Sequence, residues 1–355
     1  MSKEREYKCI DCFCGAGGLA LGLRRAGFSI VYSFDNDPKA IETIVSNPAY
    51  IPAHLSEVAD AVSLDVPRML EMLGLRPGET DLLAGGPPCQ GFSIQRRGDD
   101  SDLRNNLVPR YFEIIRLIMP KMFVMENVPG IMGRRGREIL RGCLERAAGF
   151  GYFVSERTLD AQEFGTPQRR KRIFVVGERK DHAGPLFKFP SGSSARVTVR
   201  EAIGFLPPPP EDGTDHPGYR HHRRDRLSED NLKRIRSLKE GQGRDFLPDD
   251  LLLPCHRVSS AKMGHRNVFG RMRWDSPAPT ITARFDSFSR GMFGHPEQDR
   301  SVSLREGALL QSFPLDYNFA GSKVEIARQI GNAVPPRLAE ALGTSLMEAL
   351  KKWTS

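Results

Sequence analysis

No apolar run among the 355 residues is long enough to cross a bilayer, and the opening Met-Ser-Lys-Glu-Arg-Glu has none of the apolar stretch of a secretory signal. A membrane-spanning helical protein is excluded, and a cytoplasmic one is expected. Cysteine is scarce: six in a chain of this length are too few for a disulfide framework, which leaves room for a free reactive thiol. Cys9, Cys12 and Cys14 include a Cys-x-x-Cys spacing, but no second ligand pair follows at zinc distance. Alternate strand residues also face opposite sides, so no metal site is expected. The turn that follows, Gly15-Ala16-Gly17-Gly18, lacks the full G-x-G-x-x-G dinucleotide spacing.

What is present suits a globular chain of one large and one smaller domain, with 39% hydrophobic residues. The net charge of +8 is unevenly placed. Residues 179–300 hold 22 Lys and Arg against 16 Asp and Glu, while the rest hold 30 against 28. Such an excess suits a region lying along phosphates, and equally a basic face with no partner. The same region changes texture, with prolines at 207–210, few long apolar runs, and His221-His222-Arg223-Arg224, which reads as a solvated basic loop. The expected organisation is a first domain over 1–178, a smaller irregular one over 179–272, and a return to the first over 273–355. A helix opening at Pro335 and Pro336 closes it by packing on the first strand-helix unit.

The first domain repeats strand, turn and helix. Tyr7 to Phe13 predicts a buried strand that enters the glycine turn and then a periodic helix, Leu19 to Ala26; glycines there admit a ligand at a helix N-terminus. Phe28 to Phe34 predicts a second strand ending in Asp35-Asn36-Asp37-Pro38. An acid about 20 residues past a glycine turn is placed for ribose hydroxyls, and Asp37 reads as the cap of a helix from Pro38 to Val45. Val62 to Val66 predicts a third strand, with Asp65 at its end as an acceptor for an adenine amino group. Leu82-Leu83-Ala84 then leads into Gly85-Gly86-Pro87-Pro88-Cys89-Gln90-Gly91, which sets a thiol just past a strand's carboxyl end. Two prolines fix φ there and flanking glycines let a ligand approach, so a nucleophile is favoured over an inert buried cysteine.

Residues 95–106 are polar and read as a lid, ahead of a helix from Leu107 to Met119. Lys121 to Met125 predicts a buried strand that delivers Glu126, a carboxylate whose apolar approach would raise its pKa and suit it to hold a proton. Gln168-Arg169-Arg170-Lys171-Arg172 runs into another apolar strand, whose alternation puts Arg170 and Arg172 on one face, fit for a phosphate or a base carbonyl.

Taken in order, Asp11-Cys12-Phe13-Cys14-Gly15-Ala16-Gly17-Gly18, Gly86-Pro87-Pro88-Cys89-Gln90, Glu126-Asn127-Val128, Gln168-Arg169-Arg170-Lys171-Arg172, Arg305-Glu306 with Leu310-Gln311-Ser312-Phe313-Pro314, and Gly331-Asn332-Ala333-Val334-Pro335 resemble the cytosine-carbon-5 DNA methyltransferases of the compact bacterial, restriction-modification type. The resemblance spans nearly the whole chain. It implies an α/β, Rossmann-like domain dependent on S-adenosylmethionine, and a smaller irregular target-recognition domain. Phe13, Gly15, Gly17, Gly18, Asp35, Asn36, Asp65, Val66, Pro88, Leu107 and Asn332 would line the cofactor pocket, and S-adenosylhomocysteine would be the product. Asp35 stands where the family more often has glutamate, and Asn36 where a larger side chain often covers the adenine.

The implied chemistry is addition of Cys89 to carbon 6 of a flipped-out cytosine. Glu126 would hold a proton at ring nitrogen 3, and Arg170 or Arg172, by analogy Arg172, would face the carbonyl oxygen. The implied partners are double-stranded DNA and a paired restriction endonuclease, with no metal, no membrane and a monomeric chain. Rival readings are the same chemistry on RNA, against which the family's Cys-Phe-Thr segment is absent, and a catalytically silent DNA-binding paralogue, which would have no use for the complete set of reactive residues.

Overall fold

The computed structural model describes residues 5–52, 54–88, 107–193, 195–254 and 268–353; Cys89 and the expected lid at 95–106 lie outside the described residues. The chain divides into two compact units. Met1–Phe164, Lys171–Gly192 and Val334–Ser355 form one, and Gly165–Arg170 with Ser193–Ala333 form the other.

The first unit is a seven-stranded sheet in the order β3-β2-β1-β4-β5-β7-β6. Its strands are β1 (Tyr7–Cys12), β2 (Phe28–Asp35), β3 (Leu55–Val58), β4 (Leu82–Gly85), β5 (Met122–Asn127), β6 (Tyr152–Asp160) and β7 (Lys171–Arg179). The first five are parallel, and β7 returns antiparallel between β5 and β6. All residues of β4 and β5 are buried, which explains why both read as unbroken apolar runs: helices cover the two faces. Helices α1 (Gly18–Arg25), α2 (Pro38–Val45) and α10 (Pro336–Trp353) share a core with one face; α3 (Val66–Met72), α4 (Leu107–Ile118) and α5 (Arg134–Gly149) share one with the other. The chain runs outward from β1 to β3 and then returns to β4 beside β1. The strand order therefore reverses between β1 and β4, the place where open sheets of this kind bind ligands.

The closing helix packs on α1 as expected. A Cβ on Gly22 would stand 2.4 Å from Ala339 Cβ and 2.5 Å from the Pro336 carbonyl, so only glycine permits this approach. Pro38 and Pro336 both stand in the first turns of their helices, and the Asp37 side chain caps α2 by accepting from Lys39 N–H. The third strand is not where it was expected. β3 is Leu55–Val58, an edge strand with three exposed residues, while Val62 to Asp65 forms the turn into α3 and Asp65 caps that helix by accepting from Arg68 N–H at 3.1 Å. A half-exposed edge strand has a weak apolar pattern, and Val66, buried as the first residue of α3, supplied the misleading one.

The second unit holds α6 (Val199–Ile203), α7 (Glu229–Arg236), α8 (Leu304–Leu310) and α9 (Lys323–Asn332), joined by irregular chain. Among the described residues it contributes no strand to the sheet, and Ile235, Leu238, Leu247, Phe269 and Phe288 form a small core of its own. The division falls elsewhere than at 179 and 272, where the charge changes. Glu178 accepts N–H groups from Leu186 and Phe187 at 2.9–3.0 Å, which draws the chain up to residue 192 onto the first unit. Gln168 binds the Leu310 carbonyl, the Gln311 side chain and Ile281 N–H, which draws 165–170 and the later residues into the second.

Candidate active site at the carboxyl edge of the sheet

The strand ends of the first unit carry most of the residues singled out from the sequence. β1 ends at Cys12, and Phe13 leaves it with φ 57°, a left-handed conformation rare for a residue with a side chain, which turns its ring toward Phe34 (5.7 Å) and Tyr111 (6.4 Å). Gly15 and Gly17 also have positive φ. Helix α1 begins without a side-chain cap, so its first N–H groups are available to an oxygen-bearing ligand. Asp35, at the end of β2, accepts Gly15 N–H and Asp37 N–H, each at 2.9 Å, one on each oxygen. It thus holds the glycine turn in place, and with two lone pairs on each oxygen its carboxyl has capacity left for a hydroxyl. Burial pushes its carboxyl above the usual range. Asn36 is exposed.

Asp11 belongs to the Asp-Cys-Phe-Cys-Gly motif, where nothing local marks it as a ligand residue. It is fully buried at the end of β1, and neither carboxyl oxygen has a hydrogen-bond partner among the described residues. Burial and the neighbouring Asp35 push its pKa well up. A buried carboxyl left without a donor costs about 1–3 kcal/mol unless a ligand supplies one. Two acids beside a glycine turn and an uncapped helix start fit a ligand with an ammonium group, hydroxyls and a carboxylate, as S-adenosylmethionine has. The cysteines nearby do not compete as nucleophiles or metal ligands. Cys9 and Cys12 lie in cores on opposite faces, and burial pushes both thiols, with Cys14, well above the ordinary value.

Asp65 and Val66 do not stand at a strand end. Asp65 is spent on its helix, and Val66 faces the core. The acid just past β3 is Asp60, whose side chain accepts Val62 N–H at 2.9 Å; the signal in the sequence was Val-Ala-Asp at the end of the alternating Leu55–Val58. Leu107 opens α4 and is half-buried. Asn332 ends α9 in the second unit.

At the other side of the switch point, β4 runs through Gly85 into Gly86, Pro87 and Pro88, the last described residues before Cys89. Asn127 donates to the Pro87 carbonyl at 3.0 Å, so the exit of β5 fixes the exit of β4. A Cβ on Gly86 would lie 3.2 Å from Glu126 Oε2; glycine keeps space open beside that carboxylate. Glu126 and Phe174 are partners across β5 and β7, and Arg172 shares Phe174's face two residues along. This register joins Arg172 Nε to Glu126 Oε1 at 2.8 Å, with each side chain about nine-tenths buried (12% and 11% exposed). Burial pulls the Arg172 pKa down and Glu126 opposes it, so the pair is held as an ion pair in a partly dry place.

Arg170 is not its companion. β7 begins only at Lys171, and Arg170 is fully buried in the second unit, where it donates to the carbonyls of Ile281 (2.8 Å), Gly331 and Ala333 (both 2.9 Å). The expectation that Arg170 and Arg172 share a strand face therefore fails: one guanidinium faces a carboxylate, the other three main-chain oxygens.

Comparison with known proteins agrees with this geometry. The profile of the family described as C-5 cytosine-specific DNA methylase matches residues 7–348. The Type II methyltransferase M.AgeI of Thalassovita gelatinovora is 32% identical, over 97% of this chain and 100% of that one. The Type II methylase M.HgiDII of Herpetosiphon aurantiacus is 34% identical, over 96% and 95%. A solved prophage-encoded DNA modification methyltransferase from E. coli superposes with a TM-score of 0.69 at 27% identity, covering 98% of this chain and all of its own. A strand order that reverses beside a glycine turn, a glutamate-arginine pair at the same edge and a full-length family match converge on one assignment: the chain is a DNA-modifying enzyme that belongs to the C-5 cytosine-specific DNA methylases, with their Rossmann-like, S-adenosylmethionine-dependent methyltransferase fold.

Proposed function

We propose that the protein methylates carbon 5 of a cytosine flipped out of a specific duplex DNA sequence, through a transient bond between Cys89 and carbon 6. The observation that carries this is the buried Glu126–Arg172 pair beside Gly86, three residues before Cys89. Carbon 5 is a weak nucleophile while the ring stays aromatic. Cys89 thiolate adds to carbon 6; Glu126, a carboxylate in its pair with Arg172, takes up one proton together with the base and shares it with ring nitrogen 3, which keeps negative charge from accumulating as the bond forms. Arg172 orients Glu126 through Nε and carries positive charge to the edge where the ring carbonyl gains electron density. Asp11, Asp35, the turn at Gly15, Gly17 and Gly18, and Phe13 would hold S-adenosylmethionine, which supplies an electrophilic methyl group. Asp60, rather than Asp65, would meet the adenine amino group, because it is the acid that follows β3. Once carbon 5 has taken the methyl group, loss of its proton to a base re-forms the carbon 5–carbon 6 double bond, Cys89 leaves carbon 6 as thiolate, and the proton at ring nitrogen 3 returns to Glu126.

Flipping the base costs a few kcal/mol, which contacts to the flanking duplex offset. The Type II names of the relatives support a sequence-specific duplex target and a cognate endonuclease. The test uses genomic DNA and DNA carrying 5-fluorocytosine. The wild type should methylate the first and form a denaturation-resistant complex with the second, whereas Cys89→Ala should do neither while still retarding DNA on gels. Turnover by the alanine variant would remove Cys89 from the reaction.

A further inference from the structure

We propose that Arg110 is a positioning residue for the adenine side of the cofactor pocket, a role that rests on the cofactor reading above. Arg110 lies in the first turn of α4, the helix that follows residues 89–106. Its Nε donates to the Ala61 carbonyl at 2.7 Å and its Nη2 to the Leu64 carbonyl at 2.9 Å. Those two carbonyls bracket the turn from β3 into α3, the turn that begins at Asp60. The turn's own bonds are short-range: Asp60 accepts Val62 N–H on its side chain and Ser63 N–H on its main chain. Such bonds shape the turn but do not fix where it sits relative to α4.

A planar guanidinium bonded at two points sets both distance and orientation. Arg110 thereby locks the Asp60 turn to the helix whose first residue, Leu107, stands on the same side of the sheet. It touches neither base nor methyl donor; it acts through the main chain of Ala61 and Leu64. The reaction's reacting atoms meet at β4 and β5, so a loosened Asp60 turn should weaken cofactor binding and leave the chemical step intact.

The test uses the full-length protein and calorimetric titration with S-adenosylhomocysteine and with its hypoxanthine counterpart, S-inosylhomocysteine, which lacks the amino group. The wild type should prefer the adenine compound by about tenfold, the equivalent of one well-made hydrogen bond. Arg110→Met should bind S-adenosylhomocysteine about tenfold more weakly, lose most of that preference, and keep kcat within twofold at saturating cofactor. Arg110→Lys, which reaches one carbonyl, should recover part of the preference. Equal weakening of both compounds in Arg110→Met, or no weakening of either, overturns the proposal. A wild type that binds neither compound, or both alike, would instead strike down the cofactor reading on which it stands.

Discussion

In the first unit the main chain of the sheet satisfies itself in seven strands and charged side chains meet one another at strand ends, as Glu126 meets Arg172, while arginines such as Arg110 and Arg179 take main-chain carbonyls of the connecting turns. In the second unit arginines turn inward onto the main chain. Arg170 binds three carbonyls; Arg271, 4% exposed, binds those of Ile235, Leu238, His295 and Gln298; Arg305, 1% exposed, binds those of Arg220 and Tyr317. Irregular backbone leaves carbonyls without ladder partners, and a guanidinium carries five donors in a rigid fork that can collect several at once. Within residues 179–300 Arg271 and Arg234, the latter bonded to the Leu251 carbonyl, are spent in this way, so part of that segment's basic excess is internal framework. Charge counted along a sequence does not distinguish an arginine that faces phosphate from one that replaces a β-ladder.

The sharpest way to break that contrast is to remove one arginine or its acid from each unit. Glu126→Gln should lower kcat by about a hundredfold or more, because a positioned proton carrier contributes roughly 10²–10⁴, and should also lower the melting temperature, because Arg172 keeps its charge in a nearly dry place without the carboxylate. Arg170→Met should act on stability alone. Three buried carbonyls lose their donor at a cost of roughly 3–5 kcal/mol, read by denaturant titration, and methyl transfer per folded molecule should persist in the cold. If Arg170→Met kept full stability but lost turnover, the division between chemical and framework arginines would be wrong.

The same contrast explains which parts were legible in the sequence. Strands and helices of the first unit announce themselves by period and by local chemistry: Pro38 behind Asp37, Pro336 at the head of α10, unbroken apolar runs at β4 and β5. β3 is hard to see in the sequence because an edge strand with three exposed residues has little to bury, and Asp65 resembles a strand end because a helix cap and a strand-end acid look alike in one dimension. The place of Arg170 is not legible locally because its partners, Ile281, Gly331 and Ala333, lie more than a hundred residues away. His222, expected in a solvated loop, is fully buried between the Ser303 hydroxyl (2.8 Å), 81 residues on, and the Pro207 carbonyl (2.7 Å).

A gentler probe of the second unit is pH. His295 is nearly buried, and its Nδ1 accepts N–H groups from Glu297 (3.2 Å) and Gln298 (3.0 Å), so protonation there forfeits both bonds. Burial, with Arg300 and Arg271 nearby, pulls its pKa down to about 4 despite Glu306. Burial works to raise Glu306, but Arg300, bonded to it twice at 2.7 Å, and His295 hold it down at about 2. Both folded values lie below the unfolded ones of about 6.5 and 4.3, so both groups bind protons more readily when unfolded and their contribution is present at neutral pH. Stability should fall in two stages, from about pH 6.5 to 4, where His221, also pulled down to about 4, and His222 act beside His295, and again from about 4.3 to 2; His295 and Glu306 should each account for roughly 3 kcal/mol. His295→Asn should shrink the first stage by roughly that amount in denaturant titrations and shift the second slightly, because the imidazolium helps hold Glu306 down. A first stage unchanged in that variant would assign it to another group.

The smallest effect concerns the arginines that stay outside. Arg226 is exposed, unlike Arg271, and if outward charge in this unit faces phosphate, Arg226→Ala should reduce the slope of log affinity for DNA against log salt by about one while stability stays within about 0.5 kcal/mol. Arg271→Ala should leave any remaining folded protein with the original salt slope and show its cost in unfolding instead. A salt slope that responds to Arg271 and not to Arg226 would mean that the inward forks themselves reorganise when DNA binds, and the unit would then be a surface that forms on its target rather than a scaffold with a charged exterior.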